Sequence, residues 1–269
     1  MWLKKQEDPQ PGRAWIGAAA AIGLAAWLAL APAAARSPAG RAAPAGATAT
    51  GFANCPQFFA GGRAPAVALA GRLRELCYDG FAILHSGESR TPVYVAQRLN
   101  RDIVLRARRI ERQGRFFADA RLRRGERAEL EDYRGSGWSR GHMAPAADMP
   151  TERAMAQSFS LANMVPQDPR QNGGPWARIE EDTRRYALRA RGDVYVLTGP
   201  VFADRQVIGP NRVHVPTHLF KLVHDAVTGR TWVHWQPNRP DAKVNPPLSY
   251  AGFQRWLGLD LLPGVEEMH

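Results

Sequence analysis

Gly135-Ser136-Gly137-Trp138-Ser139-Arg140-Gly141-His142-Met143-Ala144-Pro145-Ala146-Ala147-Asp148 sets an arginine and a histidine two residues apart, with glycines before and between them. Glycine permits a tight bend and lets other groups come close to the backbone. Arginine binds a phosphate through paired hydrogen bonds, and histidine exchanges a proton near neutral pH. Those are parts of a site for cutting phosphodiesters, but Arg-Gly-His alone arises often by chance. A second stretch carries the reading further: Asn172-Gly173-Gly174-Pro175-Trp176-Ala177-Arg178-Ile179-Glu180, with Arg184 beyond it. Pro175 suits the first turn of a helix running to about Arg189. Trp176, Ile179, Thr183 and Ala187 form its inward stripe. Asn172 offers a carbonyl oxygen at the helix start, and Glu180 a carboxylate on the same helix. An oxygen ligand with a nearby carboxylate suits hydrated Mg²⁺. Asn172 as a helix cap and Glu180–Arg184 as an i,i+4 surface ion pair account for the same residues.

The chain has 269 residues and a formal net charge of +11. Lys4, Lys5, Arg13, Arg36 and Arg41 against Glu7 and Asp8 place +3 in residues 1–50, which leaves +8 for the rest. That excess fits either a polyanionic partner or a basic surface without a specialised role. Cys55 and Cys77 are the only two cysteines. In an oxidising compartment they are expected to pair, and closing that loop stabilises the fold by about 3 kcal/mol. Two cysteines so far apart, with no neighbouring Cys or His pair, argue against structural zinc. His214, His218, His224 and His234 are spaced irregularly and read as structural residues.

Residues 1–35 carry a basic start, an apolar run from Ala14 to Ala31 and small residues after it. They read as a signal peptide or an N-terminal membrane anchor, with the bulk of the chain exported to the periplasm or beyond. Residues 36–50, rich in Ala, Pro and Gly, read as a flexible linker, and 51–269 as one domain. Ala66 to Leu76 fits a helix or a loop lying on the core. Tyr78 to Leu84 and Pro92 to Leu99 read as strands around a hairpin connection. Arg101 to Arg127, with Phe116 and Phe117 inside it, is either a solvated loop or a wall that grips phosphates. Asp148 and Pro150 open a helix to about Phe159, and Asn163 to Gln167 is a connection. Val194 to Leu197 is a buried strand ending in Thr198-Gly199-Pro200. His218 to Val223 and Thr231 to Trp235 form a hairpin, and Ser249 caps a last helix that stops at Gly258.

Taken together, these stretches resemble the DNA/RNA non-specific endonucleases, whose active site is a ββα-metal finger. The resemblance runs in order through Ser139-Arg140-Gly141-His142-Met143-Ala144-Pro145, Asn163-Met164-Val165-Pro166-Gln167, the helix residues Asn172, Gly174, Trp176, Ile179 and Glu180, Thr198-Gly199-Pro200, and Val215-Pro216-Thr217 through Lys221. It implies an α+β fold with a mixed or antiparallel central sheet, flanking helices and the finger as active site. It implies DNA and RNA as substrates and Mg²⁺ as cofactor, with Mn²⁺ as substitute. In the implied roles His142 is the general base, Asn172 the metal ligand, Arg140 the neutraliser of phosphate charge and Glu180 the orienter of water. Arg184 holds Glu180 or a phosphate. Substrate contacts are expected from Asn163 and from Arg109, Arg112 or Arg115. Ser139 stands where the family usually has Asp. A carboxylate beside His142 would orient it, so serine is expected to weaken catalysis. That departure keeps open a protein that binds nucleic acid without cutting it.

Overall fold

The computed structural model describes residues 52–67 and 72–265, so the leader and linker readings fall outside the described residues. Among the described residues no helix is long and apolar enough to cross a membrane. In chain order the first elements are β1 (Leu73–Cys77), β2 (Ala82–Ser86), β3 (Thr91–Leu99), α1 (Arg101–Ala107) and α2 (Leu130–Tyr133). Then come β4 (Ser139–His142), α3 (Glu152–Ser158), β5 (Met164–Gln167), α4 (Pro169–Gln171), a π-helical turn (Asn172–Trp176) and α5 (Ala177–Arg189). The chain closes with β6 (Val194–Val201), β7 (Val207–Ile208), β8 (Val213–His214), β9 (His218–Asp225), β10 (Thr231–Pro237), β11 (Leu248–Ser249) and α6 (Tyr250–Leu257).

Seven strands form one sheet in the order β1-β2-β3-β6-β9-β10-β11, and every neighbouring pair is antiparallel. Because side chains alternate across a strand, the sheet has two different faces. One packs Leu84, Tyr94, Leu197, Phe220, Leu222 and Val233 against Tyr250, Phe253 and Leu257 of α6 and against Phe52 and Phe59. The Cys55–Cys77 disulfide, expected from the sequence, ties this N-terminal segment to the end of β1. The other face packs Ile83, Val95 and Leu219 against Met143, Phe159, Trp176 and Ile179. That second layer carries the two candidate motifs.

Several expected elements shift. Leu73–Cys77 is a strand rather than helix or loop, because it finds an edge beside β2. Tyr78 to Phe81 is the turn between β1 and β2, closed by Tyr78 N–H donating to the Phe81 carbonyl. The arginine-rich stretch opens as a helix: Asn100 caps α1 through Ile103 N–H at 2.9 Å, and Val104 and Ala107 face inward. Asn163 to Gln167 is not a plain connection, since Met164–Gln167 pairs with β4. The last hairpin and the Ser249-capped helix ending at left-handed Gly258 stand as read.

Candidate active site

Strands β4 and β5 form a two-stranded ribbon in which Arg140 lies opposite Pro166 and His142 opposite Met164. Gly141 is required by close approach: a Cβ there would lie 1.8 Å from Gln167 Oε1. Alternation puts Arg140 and His142 on one face and Ser139 with Gly141 on the other. Ser139 therefore points away from the His142 face, and the expected loss of a carboxylate beside the histidine does not apply to this geometry. After β5 the chain enters helix at once. The Asp168 side chain accepts from Arg170 and Gln171 N–H at 2.9 and 3.0 Å, which makes Asp168 the cap and not Asn172. Pro175 lies inside this continuous helix, where it lacks an N–H to donate. The π-helical turn of Asn172–Trp176 absorbs the misfit.

Arg112, Phe116, Arg140, His142, Asn172, Glu180 and Arg184 line one cleft of about 370 Å³. The ribbon and the helix thus bring the two sequence motifs to the same opening. Asn172 is half-buried there, and among the described residues its side-chain amide has no hydrogen-bond partner. Among the described residues no group of three or more His, Cys, Asp or Glu could hold a metal ion. An ion in this cleft would take few protein ligands and keep much of its water, as Mg²⁺ does.

The aromatic wall shapes the histidine. The Phe159 ring meets the His142 ring edge-on at 5.2 Å, Phe116 lies 5.9 Å from it, and the Arg140 guanidinium sits 4.3 Å over Phe116. His142 Nε2 is buried with no partner. Burial first, then the Arg112 charge, pulls the His142 pKa down to about 3, so the ring is neutral rather than poised near pH 7. Burial moves Glu180 the other way, up to about 7. Lys221 opposes that rise most, Arg184 and Arg112 less, and Asp148 adds to it.

Arg184 does not form the expected i,i+4 pair with Glu180. Its Nη1 donates to Asp148 Oδ1 at 3.0 Å, and Asp148 Oδ2 accepts from Gln97 Nε2 at 3.3 Å. Asp148 is buried, so a partly desolvated guanidinium finds there a carboxylate with less competing water than Glu180 offers. Asn163 is fully buried. Its Oδ1 accepts from Ala144 N–H at 2.9 Å, and its Nδ2 donates to the carbonyls of Ala144 and Ser158 at 2.9 and 3.0 Å. It pins the chain that follows His142 from behind, where substrate does not reach. Of the three candidate arginines only Arg112 lines the cleft; Arg109 and Arg115 are exposed elsewhere on the loop. The sequence reading missed the parts played by Phe159, Asp148 and Lys221. For Lys221 a signal existed, a charge inside the apolar run Leu219-Phe220-Lys221-Leu222-Val223.

The fold is α+β, with a two-stranded antiparallel ribbon and a helix meeting at this cleft. The family of DNA/RNA non-specific endonucleases matches residues 62–246, and the chain belongs to that family. Among curated proteins it is 36% identical over 190 residues to the mitochondrial nuclease EXOG of Homo sapiens, covering 66% of this chain and 50% of that one. It is 35% identical over 211 residues to human mitochondrial endonuclease G, covering 71% and 67%. The chain thus spans about half the length of the first of these relatives. A chain in the crystal structure of an EndoG/EndoGI complex superposes with a TM-score of 0.68 at 23% identity, covering 82% of this chain and 94% of that one. That likeness confirms the α+β fold.

Proposed function

We propose that this chain is a metal-dependent endonuclease that hydrolyses phosphodiester bonds in DNA and RNA with little regard to sequence. The observation that carries the reading is the convergence of His142 from the ribbon and Asn172 from the helix on one cationic cleft. His142 is the general base. Its Nε2 is buried, so Nδ1 is the nitrogen that takes the proton from the attacking water, with the ring's own proton on Nε2. Arg140, held over Phe116, neutralises charge that grows on the phosphate. Glu180, as a carboxylate, accepts hydrogen bonds from water in the cleft and orients it. Arg112 supplies a further phosphate contact. Asn172 would hold Mg²⁺, or Mn²⁺ in its place, and the ion would supply neutralisation of the negative charge that develops during cleavage.

Purified protein incubated with plasmid DNA or with RNA should cut both with Mg²⁺ and neither with EDTA, and His142→Ala should remove the activity. Binding of nucleic acid without cutting, under any divalent ion, would sink the enzymatic reading. Export is part of the same proposal, supported by the leader-like residues 1–35 and by the Cys55–Cys77 bond. The curated relatives above are named for mitochondria. A fusion of residues 1–50 to a reporter that is active only outside the cytoplasm tests it, and a silent reporter would refute export.

A further inference from the structure

A general base must present one particular nitrogen to water, and a histidine side chain does not fix that choice by itself. Its outer torsion is broad, with two orientations half a turn apart. Half a turn about Cβ–Cγ puts Cδ2, which takes no proton, where Nδ1 stood. A hydrogen bond from the second ring nitrogen usually settles the matter. Among the described residues neither nitrogen of the His142 ring has a hydrogen-bond partner. What touches the ring is aromatic. Phe159 stands at 89° to it with 5.2 Å between centres, and Phe116 lies 5.9 Å away at a tilt.

Phe159 is itself held firmly. It is 5% exposed and closes α3, its N–H donating to the Ala156 carbonyl at 3.3 Å. Its own carbonyl accepts from Phe117 N–H at 3.3 Å, and the Phe117 carbonyl accepts from Leu161 N–H at 2.8 Å. Phe116 packs edge-on against the Phe159 ring at 5.1 Å, and the Arg112 guanidinium lies 5.8 Å from its centre. Gly114 comes so close that a Cβ there would overlap the ring. The ring therefore cannot leave His142 without displacing the loop from Arg112 to Phe117.

We propose, building on the nuclease reading above, that Phe159 is a positioning residue: its ring stands in for the missing hydrogen bond and holds the imidazole with Nδ1 toward the cleft and Nε2 toward the interior. A perpendicular aromatic pair is directional, because the positive edge of one ring seeks the negative face of the other. An aliphatic side chain of similar bulk fills the space without that preference. The charged groups that line the cleft with His142 are Arg112, Arg140, Glu180 and Arg184, and none of them bonds to its ring. A purely structural Phe159 would only fill the layer beneath the ribbon.

The two roles separate in metal-free protein without nucleic acid. NMR of the His142 imidazole reads its tautomer, and contacts between its ring protons and those of Phe159 read its orientation. Wild type should show one orientation, with the proton on Nε2. Phe159→Leu, which stays apolar but loses the ring plane, should show two exchanging orientations. In cleavage assays it should lose about tenfold to a hundredfold in kcat, with KM changed less. Phe253→Leu, the same truncation in the core on the other side of the sheet, should leave the imidazole and kcat as in wild type. A wild-type imidazole that already exchanges between orientations overturns the proposal. So does a folded Phe159→Leu whose imidazole stays fixed, or an equal loss of kcat in Phe159→Leu and Phe253→Leu. If Phe159→Leu fails to fold, Phe159→Met, another apolar residue without a ring, is read in the same way. The NMR result needs no turnover, so a chain that failed to cut nucleic acid would sink the nuclease reading and leave this measurement to be judged separately.

Discussion

The two faces of the seven-stranded sheet are built from alternate residues of the same strands, yet they differ in kind. The face under α6 presents Leu84, Tyr94, Leu197, Phe220, Leu222, Val233 and Trp235, all apolar or aromatic. The face under the ribbon and α5 interleaves Ile83, Val95 and Leu219 with the buried polar groups Gln97, Thr198, Lys221 and Gln236. The first follows the ordinary rule of burying apolar area, at roughly 25 cal/mol per Å². On the second, Gln97 donates to Asp148 and Thr198 accepts from the Lys221 ammonium. Both faces are packed, but only the second lies under the ribbon and α5 that line the cleft, and a shift of one residue in register would exchange them.

The difference can be broken from either side. On the cleft side, His142→Ala should reduce cleavage by about 10²–10⁴ while thermal melting stays close to wild type. A large drop in melting temperature would mean the histidine is part of the packing after all. On the dry face, Phe253→Ala removes a fully buried ring and should lower stability by about 3–5 kcal/mol in denaturant titrations. The fraction still folded should cut normally; lost activity in that fraction would show that the faces are coupled. Reducing the chain, or replacing both cysteines by serine, frees the segment that covers the same face. The cost should be about 3 kcal/mol, again with cleavage by folded protein retained.

Glu180→Gln gives the smallest effect on stability and tests the contrast most sharply. The folded-state pKa of Glu180 lies above the ordinary carboxylate value, up to about 7. Folding therefore favours its protonated form, and that contribution is complete below the unfolded pKa and lost as pH rises through about 7. Glutamine, which never ionises, should melt higher than wild type at pH 8 and about the same at pH 4, while cleavage falls at both. Equal melting at pH 8 would show that Lys221 and Arg184 fully offset the desolvation. His142 has the opposite shift, with a pKa down to about 3. It stabilises the fold above its unfolded pKa and withdraws that stability as pH falls. Acid unfolding in wild type should thus be blunted by His142→Phe.

The sequence reading reached the hairpin of β9 and β10, the capped last helix and the inward stripe of α5, because each has a local period or cap. Of the site residues it named, His142, Arg140, Asn172, Glu180 and Arg184 line one cleft. It missed β1, a short strand paired with β2 directly after it, and β5, a short strand paired on a separate ribbon with the distant β4. It placed the helix start at Pro175, where the cap Asp168 lies seven residues earlier and a π-helical turn joins the two. It counted Asn163 as a substrate contact, since an amide in a motif does not reveal which way it points.

The order of the motifs, the paired cysteines and the set of reactive groups were legible in the sequence alone. They depend on residue type and short spacing, which the chain carries wherever it is placed. Which charge meets which was decided only by the tertiary structure. Helix periodicity assigns Arg184 to Glu180, but packing gives it Asp148. The reason is that electrostatic pairing follows distance and desolvation, and both arise only when the sheet and the helix are brought together.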